Sequence, residues 1–509
     1  MAADWQRAFV PGLALLLSLA LLSSASASAS ALALSPVVRT VEGKLRGATV
    51  PGSAIRVFRG IPYAAPPVGP LRWRAPQPVT PWTEVLDATR FGPPCMQRVA
   101  AGQAVQPSED CLTLNVWAPP GRGKAARLPV MVFIHGGGFV FGAGSEPVYD
   151  GAALAAHGVV VVTLNYRLGV FGFLAHPGLT AEGSPPGNAG LLDQIAALRW
   201  VRRNAAAFGG DPARVTLFGE SAGGTSVMAL LAAPDARGLF SRAILQSAAM
   251  GWKLRTRAEA ERSGLVLGAD LAKLRALPAH DLLGNATRIQ ALAPLMAPVP
   301  LPFPVAEDTV LPRQPFTATL PPIPILIGDN EAEGITFATR WSSYDKGAYL
   351  RALHAVFGPL WKEAARVYPV NTAADIPAAS AALVGDGMFF AGARTYARRA
   401  AANGSPVFMY LFDEPVDHHP PRHAAELPSV FGTLPLTATP QQHALSELMM
   451  TAWTRFAATG DPNGPGVPTW PRFRGPDDPC LTLGLVVDPT TRLHAERLDF
   501  MQRALDAGP

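Results

Sequence analysis

The sequence predicts an α/β protein: a large, mainly parallel mixed central sheet, helices on both of its faces, and a helical cap region. Three observations carry that expectation. Pro129–Ile134 and Val159–Leu164 are almost wholly apolar, which suits strands buried on both faces rather than strands with one wet side. Gly187–Asn204 reads as a long amphipathic helix, because Leu191, Ile195, Leu198 and Val201 recur at helical spacing with Arg199, Arg202 and Arg203 opposite. Val215–Phe218 then runs into Gly219-Glu220-Ser221-Ala222-Gly223, a strand and a sharp turn followed by a helix over Thr225–Ala232. Strand, helix, strand, turn, helix is the alternation of βαβ units.

Composition agrees. Of 509 residues, 49% are hydrophobic and 16% charged, which allows a large core and excludes a disordered chain. The formal net charge is +5, and no run of Lys or Arg with interleaved aromatics offers nucleic acid a footprint. The 51 prolines and 48 glycines are spread along the chain, as many loops between short elements require.

In chain order, residues 1–31 read as a signal peptide. Arg7 precedes an apolar run from Leu13 to Leu22, and small residues from Ser23 to Ala33 then offer A-x-A cleavage sites such as Ala27-Ser28-Ala29 and Ala29-Ser30-Ala31. The apolar run is short for a membrane span, which needs about 20 residues; an uncleaved signal anchor is the competing reading. No later uncharged apolar stretch reaches about 18 residues. The expectation is one exported domain over 32–509, periplasmic or secreted, with no membrane span after signal removal.

Val38–Arg46 and Ile55–Phe58 alternate like short strands and are expected to form an antiparallel N-terminal part of the sheet. The aromatics of Phe58–Pro67 and Leu71-Arg72-Trp73 are read as packing under a proline-rich loop. Leu112–Trp117 is a further strand, and Pro129–Ile134 ends in His135-Gly136-Gly137-Gly138-Phe139. Consecutive glycines let the main chain approach a substrate with no Cβ in the way and leave their N–H groups free to donate. The turn at Ser221 is the G-x-S-x-G elbow, which holds a serine hydroxyl up at the carboxyl end of a sheet, beside a helix N-terminus that favours an oxyanion. The competing reading is a tight turn without chemistry.

From Ala258 to Pro300 helical spacing dissolves into a proline-rich stretch, and Leu265–Leu283 reads as helices capping the site. Insertions of this kind are expected at roughly 255–320 and 335–400. Ile323–Ile327 is a late strand that runs into Gly328-Asp329-Asn330-Glu331-Ala332-Glu333-Gly334. Catalytic groups collect at the carboxyl ends of such strands, and the order Ser, acid, His asks for one of these three acids. Pro406–Phe412 is the next strand, followed by His418, His419 and His423. A metal site there is disfavoured, since no cysteine lies close and the neighbouring prolines hinder convergence. Gln441–Phe456 is a last long helix, packed on the sheet by Trp453, Phe456 and Trp470.

Phe208–Gly223, together with Glu109-Asp110-Cys111-Leu112-Thr113-Leu114-Asn115-Val116-Trp117-Ala118-Pro119, resembles the two signatures of the type-B carboxylesterase family, which includes the cholinesterases. Further matches run from Phe58-Arg59-Gly60-Ile61-Pro62-Tyr63-Ala64 to Asp461-Pro462-Asn463-Gly464, so the likeness covers nearly the whole chain beyond the leader. It implies an α/β-hydrolase fold and a serine hydrolase of small-molecule carboxylic esters, working through an acyl-enzyme with no cofactor and no metal.

Residue by residue, the family pattern Gly-x-Asn-x-x-Glu-Gly selects Glu333 over Asp329 and Glu331, which then read as loop carboxylates in water. His-x-x-Glu-Leu followed by Val-Phe-Gly singles out His423 and leaves His418 and His419 at the rim or surface. The resemblance thus implies a Ser221, Glu333, His423 triad, oxyanion donors at Gly137, Gly138 and Ala222, and Glu220 and Ser226 as supporting polar residues. His135 becomes a structural residue under the glycine loop. Cys95 and Cys111 stand where the family commonly closes a small disulfide, worth about 3 kcal/mol in the chain-entropy model. Cys480 is then a free thiol, buried or weakly reactive, with no base nearby.

Cholinesterase identity is not expected. Those enzymes stack a quaternary ammonium on a tryptophan within the small disulfide loop, and Met96–Asp110 holds no aromatic residue. The reading is a general carboxylester hydrolase for short or medium acyl or aromatic esters. The alternatives are a non-catalytic adhesion or binding relative that has lost the triad, and an acyltransferase in which an alcohol outcompetes water.

Overall fold

The computed structural model describes residues 35–99, 105–120, 127–251, 253–286, 304–338, 341 and 343–507. The expected signal peptide and the proline-rich stretch 287–303 lie outside them. The strands in the first half are β1 Val37–Arg39, β2 Lys44–Arg46, β3 Ala48–Thr49, β4 Arg56–Pro62, β5 Val85–Asp87, β6 Thr113–Ala118, β7 Leu128–Ile134 and β8 Val160–Leu164. Those in the second half are β9 Gly210–Glu220, β10 Arg242–Gln246, β11 Ile325–Asn330, β12 Val407–Phe412, β13 Cys480–Leu483 and β14 Asp488–Thr490.

Eleven of them form one sheet in the order β14-β13-β12-β11-β10-β9-β7-β8-β6-β4-β3. Strands from β8 across to β13 are parallel neighbours, and antiparallel strands flank them on both sides. Val38–Arg46 departs from expectation. A Thr40–Gly43 turn, closed by a 2.8 Å backbone bond, splits it into β1 and β2, which join β5 in a separate three-stranded sheet. Only Val38 and Leu45 of these two strands turn inward, too little apolar surface for a place in the main sheet.

Period-two alternation explains why both faces are covered. Val130, Val132 and Ile134 of β7 face one core, while Met131 and Phe133 face the other. Leu217, Leu245 and Ile327 continue the first set and Phe218, Ile244 and Leu326 the second. Helices Ala189–Asn204 and Ala222–Ala232 cover the first face through Leu191, Ile195, Leu198 and Val227. Helix Pro440–Thr459, opened by a Thr439/Gln442 capping box, covers the second through Met449, Trp453 and Phe456. Each such side chain, fully buried, contributes about 1.5–3 kcal/mol.

Further helices occur in two later regions of the chain. Arg257–Gly264, Leu271–Ala276 and Ala279–Asn285 lie in the first region, and Lys346–Phe357, Trp361–Val367, Ile376–Gly385 and Ala391–Ala402 in the second. The continuous helical stretch Ala373–Ala402 is long enough to cross a membrane and holds an 18-residue window apolar enough to do so, but 78% of that window is buried within the body. After β7 the chain adds β8 on one side and then returns to place β9 on the other. The carboxyl ends of β7 and β9 therefore border a topological switch point, where ligands bind in open α/β sheets.

Candidate active site

At the end of β9, Ser221 has φ 55° and ψ −121°, a conformation that costs a residue with a side chain about 1–3 kcal/mol. Close packing holds it. A Cβ on Gly223 would fall 1.9 Å from the Ile134 carbonyl oxygen, so only glycine lets the turn press against the end of β7. The Ser221 amide donates to the Gln246 carbonyl at 2.9 Å, which ties the turn to β10. The helix after it begins at Ala222, three residues earlier than the sequence pattern indicated, so Ala222 supplies the first N–H of that helix.

The glycine loop leaves β7 beside this turn. A Cβ on Gly136 would stand 2.5 Å from Glu220 Oε2 and 3.0 Å from Ser221 Cβ, which places the loop directly against the elbow. Gly137 and Gly138 adopt φ of 97° and 59°. Among the described residues no hydrogen bond takes up the amides of Gly137, Gly138 or Ala222. His135 lies under the loop, its ring stacked on Tyr166 at 4.6 Å and its Nδ1 2.8 Å from the Gly136 carbonyl oxygen. Burial pulls its pKa down to about 4, so it stays neutral at pH 7.

His423 comes from the loop after β12. Its Nδ1 is 2.5 Å from Glu333 Oε2, and its Nε2 is 3.2 Å from Glu220 Oε1. The second contact is not aligned as a hydrogen bond, so Nε2 is buried without a hydrogen-bond partner among the described residues. Phe337 and Phe389 wall the imidazole at ring distances of 4.9 and 5.0 Å. Glu333 Oε1 in turn accepts from the Asn330 amide at 2.8 Å and from Asn330 Nδ2 at 3.1 Å, and Asn330 Nδ2 also donates to Ser247 Oγ at 3.1 Å, which sets that hydroxyl beside the carboxylate.

The charges are coupled. Burial works against the imidazolium, yet the carboxylates of Glu333 and Glu220 and the bond to Glu333 more than offset it, raising the His423 pKa to about 9. Burial would raise Glu333 as well, but the facing imidazole and its hydrogen bonds hold this carboxyl below the usual range. Among the described residues Glu220 has no such donors. Burial pushes it up to about 8; His423 pulls the other way, and Glu426 and Glu333 add to the rise. Such an arrangement can take a proton from a neighbouring hydroxyl at Nε2 and steady the resulting imidazolium at Nδ1.

Other expected residues lie elsewhere. Ser226 does not support the carboxylates: it sits on helix Ala222–Ala232 and accepts a 3.0 Å bond from Gln194 Nε2 of helix Ala189–Asn204. Ser247 stands at Glu333 instead. Asp329 is not a loop carboxylate in water; it belongs to β11, is 2% exposed and is raised well above the usual range by burial. Glu331 is part-buried beside His494 Nε2 at 3.2 Å. His418 and His419 are exposed.

Cys95 and Cys111 are joined in a disulfide, and Cys480 is a buried free thiol whose pKa burial pushes up. Sequence reasoning missed Ser247, Asn330, Gln246 and Glu426. Glu426 takes bonds from Gln246 Nε2 at 3.0 Å and Asn330 Nδ2 at 2.7 Å, so it braces the residue that holds Glu333. It is the Glu of the His-x-x-Glu-Leu pattern, and Asn330 is the Asn of Gly-x-Asn-x-x-Glu-Gly, so both had a usable signal; Gln246 and Ser247 had none.

Comparisons with known proteins show the family and the fold. A model of the Carboxylesterase family matches residues 34–501. A para-nitrobenzyl esterase of Bacillus subtilis is 42% identical over 86% of this chain and 92% of its own length. A fumonisin B1 esterase of Sphingopyxis macrogoltabida is 41% identical over 82% of each chain. Among solved structures, a PNB esterase superposes with a TM-score of 0.80 at 38% identity, covering 91% of this chain and 99% of the other. A Geobacillus stearothermophilus carboxylesterase gives 0.81 at 38% identity, covering 92% and 100%.

Proposed function

The chain belongs to the carboxylesterase family, and from that premise we propose that it hydrolyses carboxylic esters with Ser221 as nucleophile, His423 as general base and acid, and Glu333 as the acid that orients the imidazole. One observation carries the assignment: His423 is held by Glu333 at Nδ1 while Nε2 faces Glu220, the residue joined to Ser221. Ser221 Oγ attacks the ester carbonyl as its proton passes to Nε2, and the tetrahedral oxyanion forms against the N–H groups of Gly137, Gly138 and Ala222. Each such donor is worth roughly 10²–10³ in turnover elsewhere. Collapse breaks the C–O bond and returns the proton to the departing alcohol. Water, deprotonated by His423, then attacks the acyl-enzyme, and the acid leaves.

The glycine-loop amides, which no hydrogen bond among the described residues takes up, and the strained serine support the oxyanion and nucleophile roles. The Cys95–Cys111 disulfide supports the reading of an exported protein, since such bonds persist in oxidising compartments. Steady-state hydrolysis of p-nitrophenyl acetate tests the proposal. Ser221→Ala is expected to lose several orders of magnitude, toward the roughly 10⁶ seen when a serine nucleophile is removed elsewhere. A variant that keeps full turnover removes it.

A further inference from the structure

We infer that Gln97 is a positioning residue for the oxyanion loop, and that the Cys95–Cys111 disulfide bears on the reaction through it; the inference rests on the oxyanion reading above. Gln97 lies two residues beyond Cys95, inside the loop that the disulfide closes, and its side chain is buried. Its amide is used from both ends. Nε2 donates to the Gly142 carbonyl at 2.9 Å and to the Cys95 carbonyl at 3.0 Å, while Oε1 accepts from the Gly142 amide at 2.9 Å. A side-chain amide bonded to both backbone groups of one residue substitutes for a neighbouring strand, here at a point where the main chain has left the sheet.

Gly142 is coupled to the oxyanion glycines by contact. Its φ of 109° excludes other residues, and a Cβ there would stand 2.6 Å from His135 Nδ1 and 2.9 Å from the Gly136 oxygen. One residue back, the Phe141 carbonyl packs onto Gly137, where a Cβ would fall 2.1 Å from that oxygen. The Gly137 carbonyl accepts from the amides of Val140 at 3.0 Å and Phe141 at 3.1 Å, closing a tight turn. Displacement of Gly142 therefore moves Phe141, and with it the Gly137 amide.

At the other end, Cys111 lies two residues before the start of β6, and its carbonyl accepts from the Thr113 amide at 2.7 Å. The support runs from the sheet through Cys111 and Cys95 to Gln97, and from Gln97 to the loop. A group that sets where oxyanion donors stand acts on the transition state and leaves ground-state binding unchanged.

The test uses the full-length enzyme and compares kcat, KM and the affinity of an aryl trifluoromethyl ketone, which forms a tetrahedral adduct with the serine. Gln97→Leu is expected to lower kcat about 10- to 100-fold, to weaken the ketone by a similar factor, and to leave KM within about two-fold. Cys95→Ala/Cys111→Ala is expected to show the same pattern, with little further loss when Gln97→Leu is added. If Gln97→Leu does not accumulate as folded protein, Gln97→Glu carries the test, since it sets a carboxylate against the Gly142 carbonyl and is expected to lower kcat with KM unchanged.

A folded Gln97 variant with normal kcat and ketone affinity overturns the inference, as do losses that multiply in the triple variant. Gly137→Ala separates the two levels. If it leaves kcat intact, the oxyanion reading falls; if it abolishes turnover while the Gln97 variants are unimpaired, only the positioning role falls.

Discussion

Nε2 of His423 lies 3.2 Å from Oε1 of Glu220, the residue whose carbonyl carbon is bonded to the Ser221 nitrogen. The side of the imidazole that receives the serine proton in the proposed mechanism is thus shared with a buried carboxyl group. In a low-dielectric site that neighbour changes the basicity of the ring more than any group in water would.

This relationship sets the pH dependence of catalysis. The Glu220 carboxylate favours the imidazolium, and a general base has to be neutral to act. Glu220→Gln removes that charge and lowers the imidazole pKa. The acid limb of kcat/KM against pH is expected to move to lower pH by on the order of one unit. A limb that stays in place, or moves up, contradicts the electrostatic role.

Stability should decline on the alkaline side. His423 is raised in the folded protein to about 9, and Glu220 to about 8. Their unfolded values are about 6.5 and about 4.3. Both groups hold protons in the fold that the unfolded chain releases. The His423 contribution is therefore complete below about pH 6.5 and lost toward its folded value, while that of Glu220 is complete below about pH 4.3 and lost as pH rises through its own. Glu333, held low, works in the opposite sense and stabilises above about pH 4.3. Calorimetry should show Tm falling from pH 6.5 to 9, with a shallower fall in Glu220→Gln.

Two carboxyl substitutions separate the acids. Glu333→Gln keeps the shape but takes the charge from Nδ1, and kcat is expected to fall by about 10⁴, as when the acid of a serine triad becomes an amide. Asp329→Asn should leave kcat within a few-fold, because burial already favours its neutral form. Equal losses in both variants would exclude the assignment of Glu333.

Glycine substitutions test the elbow as packing. Gly223→Ala would drive a methyl to 1.9 Å from the Ile134 oxygen, whereas a Cβ on Gly52 meets nothing within 4 Å. The first is expected to lose activity and about 1–3 kcal/mol or more of stability, the second to keep its activity. Urea midpoints and esterase assays on the pair measure both.

What the sequence made legible was local. Strands such as β7 and β8 declare themselves because residues buried on both faces leave no polar alternation. The elbow and the glycine loop are contiguous because their chemistry depends on backbone shape within a few residues. Asp329 was misplaced for the converse reason: pairing of β11 with β12 carries the strand through Asn330, and that pairing has no local signature. Ser226 and Ser247 are both serines near the elbow in sequence, and only the path of β10 toward Gly328 decides which meets Glu333. Glu426 is three residues from His423, yet its role depends on Gln246 and Asn330 arriving from two other strands.

The most direct measurement is covalent capture of the nucleophile. Incubation of the full-length enzyme with a fluorophosphonate, followed by peptide mass spectrometry, should place one phosphonyl group on Ser221, with esterase activity lost in proportion and no label in Ser221→Ala. Modification of a different residue with the same loss of activity, or an unlabelled Ser221 in fully inhibited enzyme, would contradict the account.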